Sequence, residues 1–210
     1  MKKIILAAVT FLSGISGIIA QNVTIPDVNF KTYLIGQNLI NTNGDTEIQV
    51  SEASAFTGTI NCSSKNISDL TGIEAFGSIT RLYCYFNSLN SLDLSNNTSL
   101  THIRCHSNVL TSLDLTNNTS LEAIRCYSNS LTSLNIANGN NSNMTYFDIR
   151  SNPNLTCITV DNVSYSNTNW SNIDSQMSFS SNCSSFVGVN ETIVSELKLY
   201  PNPVQNELFI

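Results

Sequence analysis

Apolar positions recur along the middle of the chain in one fixed register. Ile79, Leu82, Cys84 and Leu89 return at a step of 21 residues as Leu100, Ile103, Cys105 and Leu110, then as Leu121, Ile124, Cys126 and Leu131. An asparagine keeps the same step at Asn87, Asn108 and Asn129. A degraded fourth copy carries Met144, Phe147, Ile149 and Asn152. Around each cysteine, apolar and polar residues alternate, which is the period of a strand with one face buried. A self-similar unit of this length predicts stacked coils: a β-rich solenoid in which each coil touches only its neighbours.

A second period is nested in the first. Leu92-Asp93-Leu94 and Leu113-Asp114-Leu115, with Leu134-Asn135-Ile136 more weakly, lie between the first set at alternating steps of 10 and 11 residues. Each coil therefore has two extended segments, which predicts a flattened solenoid with a parallel sheet on each broad side. Coils stacked at about 4.8 Å place equivalent residues in ladders. Each inward Leu or Ile then contributes about 1.5–3 kcal/mol of burial. Asn87, Asn108 and Asn129 are expected to turn inward and bond the backbone of their own and adjacent coils. The L-x-x-L-x-L-x-x-N-x-L pattern resembles the leucine-rich repeat, and its nested period resembles the bacterial IRREKO type.

Residues 21–76 read as an N-terminal cap with a first irregular coil, and 77–156 as the repeats. Ile25-Pro26-Asp27 opens a short helix, Val28–Leu34, with Phe30, Tyr33 and Leu34 on one face; a second is expected over Val50–Phe56. Between them, Asn41, Asn43, Asp45, Glu47 and Glu52 stand at spacings that resemble an EF-hand or dockerin loop, which implies calcium held by side-chain oxygens. Asn41 replaces the usual Asp, and Thr46 stands where the sharp turn wants Gly. The alternative is a vestigial loop kept for its Asn and Asp turn chemistry. This order of elements resembles the capped, secreted internalin-like repeat proteins.

The ends carry addressing signals. Residues 1–20 have two lysines, an apolar run and small residues up to Ala20, the form of a secretory leader. Removing it takes the net charge from −6 to −8, with 15 acidic and 7 basic residues left. An acidic, lysine-poor chain is a poor partner for nucleic acid, and no later run is long and apolar enough to span a membrane. After a linker at 184–196, Tyr200-Pro201-Asn202-Pro203 and the alternating apolar residues to Ile210 resemble the start of a type IX secretion sorting domain. That resemblance implies contact with the type IX secretion machinery and a place outside a Gram-negative cell, secreted or on its outer surface. Such domains have several strands, so 197–210 reads as a truncated one.

The six cysteines divide in two. Cys84, Cys105 and Cys126, with Cys62 before them, replace the leucine of the repeat and read as small buried hydrophobes in line. Cys157 and Cys183 lie beyond the last repeat, in a segment of broken period with Trp170. A bridge between them makes 157–183 a disulfide-closed C-terminal cap.

Catalytic chemistry finds no arrangement. His102 and His106 face outward from one coil without a nucleophile and orienting group. Asp93 and Asp114 share one ladder position, followed by Asn135, and do not converge as hydrolytic carboxylates must. The strongest site candidate is the outer face of the first strand of each coil. One column there is Tyr83, Arg104, Arg125 and Asp148; the next is Tyr85, His106, Tyr127 and Arg150. Every arginine sits on or beside this face, with Arg81 just before the first strand. Tyr and Arg are the residues that carry interface energy, so the face fits an extracellular protein or glycan ligand. The alternative is a face that only packs on itself by cation–π contact, on a protein that serves as a structural spacer.

Overall fold

The computed structural model describes residues 21–183; the leader at 1–20, the linker at 184–196 and the sorting segment at 197–210 lie outside the described residues. Each strand is three residues long, because a coil of this size is extended only around its apolar core. β1 (Thr59–Asn61), β2 (Arg81–Tyr83), β3 (His102–Arg104), β5 (Ala123–Arg125) and β7 (Tyr146–Asp148) form a five-stranded parallel sheet. β4 (Ser112–Asp114), β6 (Ser133–Asn135), β8 (Cys157–Thr159) and β9 (Ser178–Ser180) form a four-stranded parallel sheet. Arg81 pairs with His102, His102 with Ala123, and Ser112 with Ser133, all on the 21-residue step of the sequence. This register stacks Leu82, Ile103, Ile124 and Phe147 in one buried column, and Leu113, Leu134 and Ile158 in another.

Two expectations need correction. Leu92-Asp93-Leu94 buries its two leucines but joins no sheet. The coil before it holds a 3-10 turn, Ile73–Ala75, rather than an extended segment, so a strand partner is missing on that side. In the other direction, residues 157–183 do more than cap the solenoid. They supply β8 and β9, which extend the second sheet by two strands. The end is then closed by Trp170, stacked on Phe147 at 4.2 Å and edge-on to Phe179 at 5.6 Å. Cys157 and Cys183 are bridged, with Cα atoms 5.7 Å apart.

The inward asparagines tie each coil to the last. The Asn108 amide donates to the carbonyls of Cys84 and Cys105, both at 3.0 Å, and its oxygen accepts from Leu89 N–H. Asn129 repeats this on Cys105, Cys126 and Leu110, and Asn152 on Cys126, Ile149 and Leu131. Asn87 binds Cys62 and Cys84 and accepts from Lys65 and Ile67. The residue before each of these asparagines is left-handed: Phe86, Ser107, Ser128 and Ser151, with φ of 52°, 57°, 54° and 58°. That conformation turns the chain so that the next side chain points inward. A second ladder on the other side runs through Asn97, Asn118 and Asn138, which donate to carbonyls one coil back.

At the N-terminal end, α1 (Val28–Ile35) and α2 (Val50–Ala55) bury Phe30, Leu34 and Ala53 against the core. Asp27 caps α1 through Oδ1, while its Oδ2 accepts from Ser68 N–H, Ser68 Oγ and Asp69 N–H in the first coil. Burial pushes its acidity the other way, but the hydrogens donated by Ser68, Phe30 and Asn29 hold Asp27 below its ordinary pKa. Tyr33 fixes the same junction by accepting from Asn61 N–H at 2.9 Å.

Asn108→Ala strips one N–H and two carbonyls of buried partners and is expected to destabilise the fold by about 1–3 kcal/mol, read as a lower denaturant midpoint with unchanged slope. The Cys157→Ser/Cys183→Ser double variant should lose roughly 3 kcal/mol through the larger entropy of its unfolded chain. Thermal melting against the parent checks this, and an unchanged midpoint would refute it.

Candidate functional site

The outer face of the five-stranded sheet is built from every second residue of β2, β3, β5 and β7. The register gives three columns: Arg81, His102, Ala123, Tyr146; Tyr83, Arg104, Arg125, Asp148; and, just past the strands, Tyr85, His106, Tyr127. Arg81 is the first residue of β2 and so belongs to the face itself.

The arginines are held by rings. The Arg104 guanidinium lies over Tyr83, 4.5 Å from the ring centre, and Arg125 over Tyr146 at 4.4 Å. Such contacts fix the plane of the group but leave its charge uncompensated. Among the described residues the ion pairs are Lys31–Glu47 and Arg150–Asp148, so Arg81, Arg104 and Arg125 have no carboxylate partner. His106 is stacked between Tyr85 and Tyr127, with ring centres at 4.7 and 4.3 Å. Phe86, 58% exposed, stands edge-on to both Tyr85 and His106.

Three members of the expected face behave differently. Asp148 is buried, because Arg150 clasps it through Nε at 2.9 Å and Nη2 at 2.8 Å. Arg150 thereby spends its guanidinium on Asp148. His106 lies in an outward column yet is buried by the tyrosine rings on either side. Three other residues complete the surface. Tyr146 and His102 follow from adding the column one residue pair earlier. Phe86 was readable as the only aromatic at a turn position that is Ser in the next coils.

The opposite broad side is plain. The Asp93, Asp114 and Asn135 side chains accept from the N–H two residues on, at Ser95, Thr116 and Ala137, and so serve their own turns.

The expected calcium ligands of the 41–52 loop are hydrogen-bonded within the protein. The Asn41 oxygen accepts from Gly44 N–H, and its amide donates to the Ile35 and Asp45 carbonyls. Asp45 accepts from Glu47 N–H, Asn43 and Gln49, and Glu47 pairs with Lys31. Glu52 accepts from Thr42, Asn43 and Gln49 backbone N–H groups. Among the described residues no three His, Cys, Asp or Glu form a metal-binding group.

Cys62, Cys84, Cys105 and Cys126 are free and buried. Burial pushes the Cys62 thiol up to about 12 and Cys84 well above the ordinary range. Cys105 is raised by its hydrogen bond with Cys126 and by burial.

Stacked parallel strands, inward asparagines and a line of buried cysteines define a leucine-rich-repeat solenoid. The chain is similar to internalin J of Listeria monocytogenes serotype 4b (strain F2365), at 44% identity over 39 residues, 19% of this chain and 4% of that protein. It is also similar to the functional domain of InlJ from Listeria monocytogenes, which includes a cysteine ladder. There the identity is 28% and the TM-score 0.50, over 66% of this chain and 34% of that one. The internalin InlF of strain F2365 superposes over 67% of the chain and 53% of its own length, at 14% identity and a TM-score of 0.49. This chain thus spans about a third of the InlJ domain. No protein-family profile matches it. Among the described residues no helix is long and apolar enough to cross a membrane.

Burial first, then Arg125 and Arg104, hold His106 below the ordinary imidazole pKa, with Asp148 opposing. Burial, Arg81 and Arg104 act likewise on His102, with Glu122 opposing. The unfolded chain then takes up these protons at a higher pH than the folded one. The stability they contribute is full above about pH 6.5 and is lost as the pH falls below it. Melting temperature is expected to drop between about pH 6.5 and 5, above the carboxylate range, and to drop less in His106→Phe. Equal slopes for parent and variant would contradict this.

Proposed function

We propose that the chain is an extracellular recognition module that binds a protein or glycan through the outer face of its five-stranded sheet. The observation that carries this reading is the set of three arginines without carboxylate partners, two of them held over tyrosine rings, on one face of an acidic protein. Charge of one sign on an oppositely charged molecule steers and orients a partner. Rings that are already packed lose little freedom on binding. The likeness to internalin J and to the InlJ functional domain supports a non-enzymatic binding role. The leader-like residues 1–20 support export. Release or anchoring through type IX secretion at a Gram-negative surface rests on residues 197–210 alone, whereas the relatives come from a Gram-positive bacterium.

One observation favours a second reading, a structural spacer: the cation–π pairs and the Tyr85–His106–Tyr127 stack satisfy much of the face internally. The Arg104→Ser/Arg125→Ser double variant separates the two. On an array of glycans and extracellular-matrix proteins, the parent is expected to bind and the variant to lose at least ten-fold in affinity, with melting unchanged. A folded parent that binds nothing on the array favours the spacer.

A further inference from the structure

Beside the two pinned arginines the outer face is notched. The column Arg81, His102, Ala123, Tyr146 has large side chains everywhere except Ala123. Its methyl group leaves a concavity of about 170 Å³, walled by His102, Arg104, Arg125, Thr145 and Tyr146. We infer that this notch is a subsite for a sugar ring bearing a carboxylate, as in a uronic-acid polysaccharide. The inference rests on the reading of this face as a ligand surface and names what one part of it takes.

Charge comes first. Arg104 and Arg125 occupy paired positions on adjacent strands, about 4.8 Å apart along the stack. Their side chains lean apart, Arg104 over Tyr83 and Arg125 over Tyr146, yet both line the notch, and neither has a carboxylate among the described residues. The chain has acidic residues in excess, 15 against 9 basic, yet Glu122, the residue just before Ala123, makes no ion pair with them. A ligand carboxylate in the notch would have an arginine on two of its walls, and the planar fork of a guanidinium suits a carboxylate well.

Size and lining favour a sugar acid over an acidic peptide side chain. The concavity is wider than a carboxylate on a short alkyl stem needs and admits a ring that carries its carboxylate. The remaining walls suit hydroxyl groups. Thr101 Oγ1 meets His102 Nδ1 at 2.9 Å, which sets the ring and leaves Nε2 for a ligand. Thr145 donates its hydroxyl hydrogen to the Glu122 carbonyl at 3.1 Å, so its oxygen is left as an acceptor. The edge of Tyr146 gives an apolar wall for ring C–H groups.

The test uses calorimetric titration of the purified protein with trigalacturonate, its methyl ester, maltotriose and a triglutamate peptide. Trigalacturonate is expected to bind, and the ester and maltotriose to fail. Ala123→Leu fills the notch while keeping both arginines in the chain and should weaken trigalacturonate at least ten-fold with unchanged melting; Ala123→Ser should bind as the parent does. Should Ala123→Leu melt lower, Tyr146→Ser removes a wall instead and must give the same loss. Binding that both variants leave intact, triglutamate binding as tight as trigalacturonate, or no binding of trigalacturonate overturns the subsite. An array ligand lost in Arg104→Ser/Arg125→Ser but kept in Ala123→Leu leaves the face standing and removes only the notch. An array ligand kept in both removes the face itself.

Discussion

The structure depends on one interaction repeated from coil to coil: an asparagine amide shared between carbonyls of two successive turns. A coil of about 21 residues has too few backbone pairs to stand alone, since its strands are three residues long. Its turns leave carbonyls such as those of Cys84 and Cys105 pointing into an apolar interior. Each would be an unpaired buried acceptor without the Asn side chain. Because the same amide reaches the coil behind, the bond that satisfies a turn also fixes the stacking register. Leucines supply the burial, but leucines alone would not set how one coil sits on the next.

That register is what makes a site possible. Equivalent residues fall in line only if every coil advances alike, and the arginine–tyrosine contacts bridge neighbouring strands. Where the step changes, the surface changes. Between Ala123 and Tyr146 the chain takes 23 residues instead of 21. There Asp148 and Arg150 turn to each other, and the C-terminal segment covers Asp148 from the side of Asn172 and Asp174. The face is thus bounded by the break in the repeat, not by the last strand.

The repeats were legible because their signal is redundant: Leu82, Ile103 and Ile124, or Asn87, Asn108 and Asn129, each state the same geometry three times. The columns followed by counting in twos. What escaped depended on contacts between segments far apart in sequence. Nothing local shows that Asp148 is buried, or that Leu92–Leu94 lacks a strand partner because Ile73–Ala75 is a 3-10 turn. The strand at Cys157 stands 24 residues beyond its partner in β6, which breaks the register, so the return to a 21-residue step at Ser178 went unread. In the 41–52 loop, oxygen-bearing residues at ligand spacing turned out to bond backbone N–H groups, because a turn and a metal ask for the same side chains. Ala123 was overlooked because a missing side chain carries no pattern.

The line of unbridged cysteines has a consequence for how the covalent bond at the far end is kept. In an oxidising medium the newly made chain offers six thiols, of which only Cys157 and Cys183 join. The other four cannot be told apart from them by intrinsic reactivity while the chain is open. Once stacked, all four are buried, and the thiolates of Cys62, Cys84 and Cys105 are suppressed, while exchange requires the thiolate. The folded core therefore acts as a guard on oxidation: it keeps the unbridged thiols from exchanging with the bridge that closes the end of the solenoid.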